Sequence, residues 1–180
     1  MRRHELSEIV RSIRTVPDFP KKGVMFRDIS TLISNPTAFD CSIKAMNDSV
    51  EDIRFNKIAA AESRGFIFGS VMAYKNGLPL VMVRKAGKLP GEKVSQEYSL
   101  EYGTDSVEVT VDSFKTGDRV LVVDDLVATG GTIEAICSLV EKCGAEVAGV
   151  VCLIDLPDLG GSKKISDKHQ FRSVVEYRGE

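Results

Sequence analysis

Tryptophan is absent from the 180 residues, and histidine occurs only twice, at His4 and His169. The four cysteines, Cys41, Cys137, Cys143 and Cys152, form no C-x-x-C pair, so no spacing suits a zinc site. No apolar signal-peptide region follows Met1-Arg2-Arg3-His4-Glu5. Reduced, buried or half-buried thiols in a cytoplasmic protein are therefore expected, rather than disulfides. The longest nearly unbroken apolar run, Val147 to Ile154, is far shorter than the roughly 20 residues that span a membrane. Positive charge is not in excess either: 24 lysines and arginines face 26 acids, a net charge of −2. A general nucleic-acid binder would be basic. What remains is 43% hydrophobic and 28% charged, the composition of one globular domain with a real core.

Leu6, Ile9, Val10 and Ile13 follow helical spacing, which ends before Val16-Pro17. A breaker-rich loop, Asp18 to Gly23, leads into Val24-Met25-Phe26-Arg27-Asp28-Ile29. Asn35-Pro36 predicts a capped helix start, with the helix running to about Ile53. Lys57 to Ala61 and Leu80 to Val83 read as short buried strands around a helix from Gly65 to Asn76, which Gly77 ends. Arg84 to Gly103 carries charges, glycines and no period, and is expected to be a long mobile loop. Val107 to Val111 alternates like an exposed strand, and Arg119 to Val123 is a buried one. A helix from Thr132 to Cys143 and a strand from Glu146 to Ile154 complete the pattern. Buried strands alternating with helices predict an α/β fold with a mostly parallel sheet.

The densest chemistry lies in Asp124-Asp125-Leu126-Val127-Ala128-Thr129-Gly130-Gly131-Thr132, where an apolar strand meets two acids, then paired glycines, then a helix. Ligands of open α/β sheets gather beyond the carboxyl ends of strands. A helix starting near Thr132 offers free N–H groups and a positive dipole end to a phosphate. Gly130 and Gly131 would let the backbone approach it, and the hydroxyls of Thr129 and Thr132 would add donors. Asp124 and Asp125 would be repelled by a phosphate but suit sugar hydroxyls. Solvated turn formers would explain the glycines, but not two acids ending the most apolar strand. No lysine precedes Thr132, so the phosphate-binding loop of nucleoside triphosphatases is absent, and G-x-G-x-x-G is absent too.

Asp124 to Thr132 resembles the phosphoribosyl pyrophosphate (PRPP) signature of the type I phosphoribosyltransferases. Four further segments, in order, are similar to the adenine phosphoribosyltransferase family: Pro17 to Pro20 with Gly23 to Ile29, Glu62 to Phe66, Arg84 to Gly91, and Ser99 to Gly103. The resemblance covers nearly the whole chain, and is weakest from Asn35 to Ile53 and after Gly161. It implies the type I fold: a central sheet flanked by helices, a small base-binding hood built in part from residues 1–34, and a flexible loop at about 84–103. It also implies transfer of the 5-phosphoribosyl group from PRPP to adenine, giving AMP and pyrophosphate for purine salvage, with Mg²⁺ carried by PRPP and a homodimeric assembly.

Residue by residue, the resemblance implies that Ala128, Thr129, Gly130, Gly131 and Thr132 hold the 5′-phosphate and that Asp124 and Asp125 hold the ribose. Glu62, Ser63 and Arg64 would form the pyrophosphate loop, with a cis peptide before the serine. Arg84, Lys85 and Lys88 would supply cations to the pyrophosphate, Arg84 reaching that of the neighbouring subunit. Phe26 and Leu159 would sandwich adenine while the backbones of Met25 and Arg27 read its edge. Glu101, followed by Tyr102 on the loop, would handle the proton lost from the base. Without the resemblance, Val24 to Phe26 would be core packing, Glu62 and Arg64 an ion pair beside a capping Ser63, and Glu101 one of several exposed loop acids. The alternatives are transfer to xanthine or hypoxanthine, and a regulator that binds PRPP without turnover.

Overall fold

The computed structural model describes residues 3–99 and 103–179. Helical spacing is realised in α1 (Arg3–Ser12), which buries Ile9 completely. The chain next forms an antiparallel ribbon, β1 (Arg14–Pro17) with β2 (Met25–Asp28), separate from the main sheet. Its loop contains a cis Phe19–Pro20 peptide. After one turn, α2 (Ser30–Ile33), Asn35 caps α3 (Pro36–Ser49): its Oδ1 accepts from the N–H groups of Thr37 and Ala38 at 3.1 and 3.2 Å. Pro36 stands where a missing N–H costs nothing. The helix ends at Ser49, about a turn before the expected end, because Val50 and Ile53 turn inward and are buried.

A βαβ unit follows, with β3 (Lys57–Ala61), α4 (Gly65–Asn76) and β4 (Leu80–Lys85) in parallel register. Residues 84–103 depart from the expected long loop. Their middle is a strand, β5 (Lys93–Ser99), paired antiparallel with β6 (Thr104–Thr110) from Lys93↔Thr110 to Ser99↔Thr104. Val94, Gln96 and Tyr98 are half-buried while Lys93, Ser95 and Glu97 are exposed. The alternation is genuine but hidden in sequence, because a glutamine stands at one inward position. Residues 100–102 between the two strands, which include Glu101 and Tyr102, lie outside the described residues. β6 pairs antiparallel with β4, and its Val107, Glu108 and Val109 are buried, so it is not the exposed strand expected.

The chain then crosses the middle of the sheet in β7 (Arg119–Val127), forms α5 (Gly131–Lys142) and returns in β8 (Glu146–Asp155). A 3-10 turn (Pro157–Leu159), α6 (Gly161–Ser166) and β9 (Phe171–Glu176) follow. The seven strands lie in the order β5-β6-β4-β3-β7-β8-β9, with β4, β3, β7, β8 and β9 parallel. Helices α1, α3 and α4 pack over one face around Phe68, Met72, Leu121 and Leu153. Helix α5 covers the other face through Ile133, Ile136, Leu139 and Val140. Val120 to Val123 are buried on both faces, which fixes β7 at the centre and brings its carboxyl end to the middle of one edge of the molecule. No disulfide forms among the cysteines, and burial pushes the Cys137 thiol up to about 12, leaving it unreactive at neutral pH.

Candidate active site

Strand β7 continues through the two acids to Val127, its last residue paired with Asp155 of β8. Asp124 and Asp125 therefore lie within the strand rather than after it, and their carboxyl groups interact with each other. Asp125 is 3% exposed and its Oδ2 lies 3.0 Å from Arg64 Nε. Asp124 accepts from the Asp125 N–H at 2.8 Å and closely approaches the start of α4. A Cβ on Gly65 would stand 2.9 Å from Asp124 Oδ1 and 2.9 Å from the Val123 carbonyl, so only glycine fits there. Burial, and then the neighbouring Asp125 charge, raise the Asp124 carboxyl well above its ordinary value. Burial raises Asp125 as well, against the opposing pull of Arg64.

Beyond β7, residues 128–130 form a tight loop whose end, Gly130, has φ +84° and no side chain that caps α5. The first N–H groups of α5 thus face outward as a ready anion site. A shallow cavity of about 140 Å³ lies there, lined by Asp124, Leu126 to Ile133 and, from the hairpin, Tyr98. The loop is braced from behind. The Gly161 N–H donates to the Ala128 carbonyl at 3.0 Å, and a Cβ on Gly161 would be 2.3 Å from that oxygen and 2.5 Å from Gly130 N. Gly130 and Gly161 are needed for this backbone-on-backbone contact as much as for approach to a ligand.

The Glu62–Ser63 peptide is cis, and Ser63 and Arg64 lead directly into α4. Ser63 is exposed and does not cap the helix; the capping position is Arg64 and no side chain fills the role. Glu62 pairs not with Arg64 but with Arg84, accepting from its Nη2 at 3.1 Å, and also accepts from the Lys85 N–H at 2.8 Å. The Arg84 guanidinium, followed by the Lys85 amide, holds the Glu62 carboxyl below its ordinary value, against the opposing effect of burial. Lys85 Nζ meets Asp105 at 3.0 Å, and Lys88 is exposed. Three of the four cations expected around the pyrophosphate (Arg64, Arg84 and Lys85) are thus held by carboxylates of this chain.

On the far side, the ribbon turns Phe26 toward the same region. Its ring lies edge-on to Phe19 at 5.1 Å between centroids, and the Arg64 guanidinium sits 5.4 Å from its centroid. Among the described residues β2 pairs with β1 alone, which leaves its other edge without a strand partner. Arg27 donates to Thr15 Oγ1 at 2.6 Å and lies over the Tyr177 ring at 4.0 Å. Ser30, through its hydroxyl and backbone N–H, together with Arg14, lowers Asp28 to about 2 and pins the base of the ribbon. Leu159 is 40% exposed on the 3-10 turn, two residues before Gly161.

A phosphoribosyl transferase domain model matches residues 29–177. The chain is 50% identical to the adenine phosphoribosyltransferase of Pseudoalteromonas translucida over 173 residues, covering 96% of each chain. The chain belongs to the adenine phosphoribosyltransferase family. The enzyme of that name from Thermoanaerobacter pseudethanolicus has a crystal structure that matches with a TM-score of 0.92 at 46% identity, over 96% of this chain and 99% of the other. The Saccharomyces cerevisiae adenine phosphoribosyltransferase, solved with an imino-altritol bisphosphate and adenine, matches with a TM-score of 0.89 at 32% identity, over 96% and 99%.

Sequence reasoning within this adenine phosphoribosyltransferase-family chain missed Tyr98, Leu126 and Gly161. Tyr98 belongs to a strand disguised as a loop, and its hydroxyl reaches Asp105 at 3.1 Å above the α5 N-terminus. Gly161 carried a signal, a second glycine pair at 160–161, but its partner lies more than thirty residues away in the chain.

Proposed function

We propose that the chain transfers the 5-phosphoribosyl group of PRPP to adenine, forming AMP and pyrophosphate, at the carboxyl end of β7. The observation that carries this reading is Arg64: one guanidinium contacts Asp125 at 3.0 Å and the Phe26 ring at 5.4 Å. Sugar acids, pyrophosphate loop and hood are thereby brought within one substrate's reach. Ala128 to Thr132 bind the 5′-phosphate through the uncapped start of α5, and Asp124 and Asp125 accept from the ribose hydroxyls. Glu62, Ser63, Arg64, Lys85 and Lys88 form the pyrophosphate cradle. Phe26 and Leu159 hold the base faces, and the edge of β2 away from β1, at Met25 and Arg27, offers backbone groups to the base edge.

In the reaction the bond from ribose C1 to the pyrophosphate oxygen breaks, the bond from adenine N9 to C1 forms, and a proton leaves the base. Arg64 and the lysines neutralise charge gathering on the departing pyrophosphate. Asp124 and Asp125 fix the ribose so that the base and C1 are aligned. Glu101, between β5 and β6 in the sequence, accepts the proton. Asp124 and Asp125 carry the hard oxygen donors that Mg²⁺ prefers, and would be the residues of this chain nearest a Mg²⁺ carried by PRPP. When bound, that ion adds charge neutralisation on the pyrophosphate.

Arg84 is engaged by Glu62 in the single chain, so it must exchange that partner to reach a pyrophosphate. A homodimer in which Arg84 serves the neighbouring site is supported by Tyr74 and Met82, large apolar side chains 87% and 50% exposed on α4 and β4. No helix among the described residues is long and apolar enough to cross a membrane, and we place the enzyme in the cytoplasm.

The reaction is tested by incubating the protein with PRPP, Mg²⁺ and adenine and measuring AMP and pyrophosphate, which should appear in equal amounts. PRPP consumption without AMP would refute it. Glu101→Ala should reduce kcat by about 100-fold, the scale of general acid–base assistance, with little change in the KM for adenine. An unchanged kcat would remove Glu101 from the mechanism.

A further inference from the structure

The two proposed walls of the base slot, the β2 ribbon and the 157–159 turn, come from opposite ends of the chain. Neither belongs to the main sheet. Their spacing must be set by something that touches both. The segment following β9 does so within three residues. The Tyr177 N–H donates to the Asp155 carbonyl at 3.0 Å, which fixes the segment to the end of β8 immediately before the turn. Its ring carries the Arg27 guanidinium 4.0 Å from the centroid, so it underlies the ribbon strand that would read the base edge. The Gly179 N–H then donates to Asp158 Oδ2 at 2.6 Å, beside Leu159.

We infer that residues 177–179 act as a brace that sets the width of the base slot, with Tyr177 as a positioning residue for adenine recognition. The inference rests on the proposed assignment of adenine to the slot between Phe26 and Leu159. Tyr177 is half-buried, and burial raises its phenol above the ordinary value, so the ring stays neutral and its face stays available to a cation at physiological pH. The contact uses the ring face rather than the hydroxyl. A phenylalanine should therefore replace it, whereas a leucine, apolar but without a ring, should not. Among the described residues no hydrogen bond joins this segment to the proposed phosphate loop, so PRPP should be bound as before.

The test is steady-state kinetics of wild type, Tyr177→Phe and Tyr177→Leu, with adenine and PRPP varied separately, alongside the Tm of each protein. Tyr177→Leu should raise the KM for adenine about fivefold, the effect of losing one partly desolvated cation–ring contact. Its kcat and KM for PRPP should stay within about twofold, the spread expected when no contact is lost. Tyr177→Phe should behave as wild type. Equal rises in both KM values, or an adenine KM unchanged in Tyr177→Leu, would overturn the brace. So would a Tyr177→Phe protein as impaired as the leucine variant at normal Tm. Failure of the wild-type protein to use adenine would instead refute the base assignment, which the same experiment reads first.

Discussion

The proposed phosphate side and the proposed base side of the site are built by different means. The phosphate side grows from the middle of the sheet: β7 is buried on both faces, and its end delivers two acids, a loop and a helix start within nine residues. Its proposed recognition groups are backbone amides, on a loop braced by backbone contact with Gly161. The base side is assembled from a separate ribbon, a single 3-10 turn and the chain's last described residues, joined by side-chain contacts such as Arg64 on Phe26 and Arg27 on Tyr177. Backbone held in a sheet leaves little freedom, and side-chain contacts leave more. The phosphate side should therefore fail abruptly when disturbed and the base side by degrees.

The sharpest way to break that contrast is Gly161→Ala. The added Cβ would stand 2.3 Å from the Ala128 carbonyl and must push the phosphate loop outward. A displacement of this kind should raise the KM for PRPP or lower kcat so that kcat/KM falls about 100-fold. Phe26→Ala probes the other side. Loss of a stacking face, worth about 1–3 kcal/mol per base, should raise the KM for adenine roughly tenfold while PRPP binding is unaffected. If Phe26→Ala damaged PRPP binding equally, the two sides would not be separable.

Asp124→Asn separates function from stability on the phosphate side. It should lower kcat/KM for PRPP about tenfold, as expected for loss of a charged acceptor. The same change should stabilise the free protein. Burial raises the folded-state pKa of Asp124 above its unfolded value, so the folded state binds the extra proton and stability declines as pH rises through that folded pKa. Wherever that carboxylate is ionised it is therefore a cost to the folded state, and asparagine should raise the midpoint of denaturant melts. The wild-type protein should correspondingly lose PRPP affinity on acidification at a pH above the ordinary aspartate range, as Asp124 protonates. Denaturation midpoints and PRPP titrations against pH check both signs.

The same contrast explains what could be read in the sequence. β3, α4 and its Gly77 end, β7, α5 and β8 were legible, because buried parallel strands and helices ended by glycine carry local signals. The strand end, glycine loop and helix start from Asp124 to Thr132 were legible for the same reason. β5 was not, because Gln96 occupies an inward position among charged neighbours and its alternation emerges only against β6. The pairing of Glu62 with Arg84 instead of Arg64 depends on adjacent parallel strands, which no local spacing encodes. Phe26 as a base wall could not be told from core packing on pattern alone; the family resemblance carried that reading. Nothing local in the sequence linked Tyr177 to Arg27, which stand at opposite ends of the chain.

The most direct test of the account is nucleotide formation from PRPP and Mg²⁺ with adenine, hypoxanthine, guanine, xanthine and orotate supplied one at a time. The account predicts that kcat/KM for adenine exceeds that for every other base by at least about 100-fold, the discrimination expected when a site's buried polar edge groups are left unpaired by the wrong base. Comparable turnover with hypoxanthine or xanthine would leave the PRPP site intact and contradict the base side. Tight PRPP binding with no turnover on any base would contradict catalysis itself.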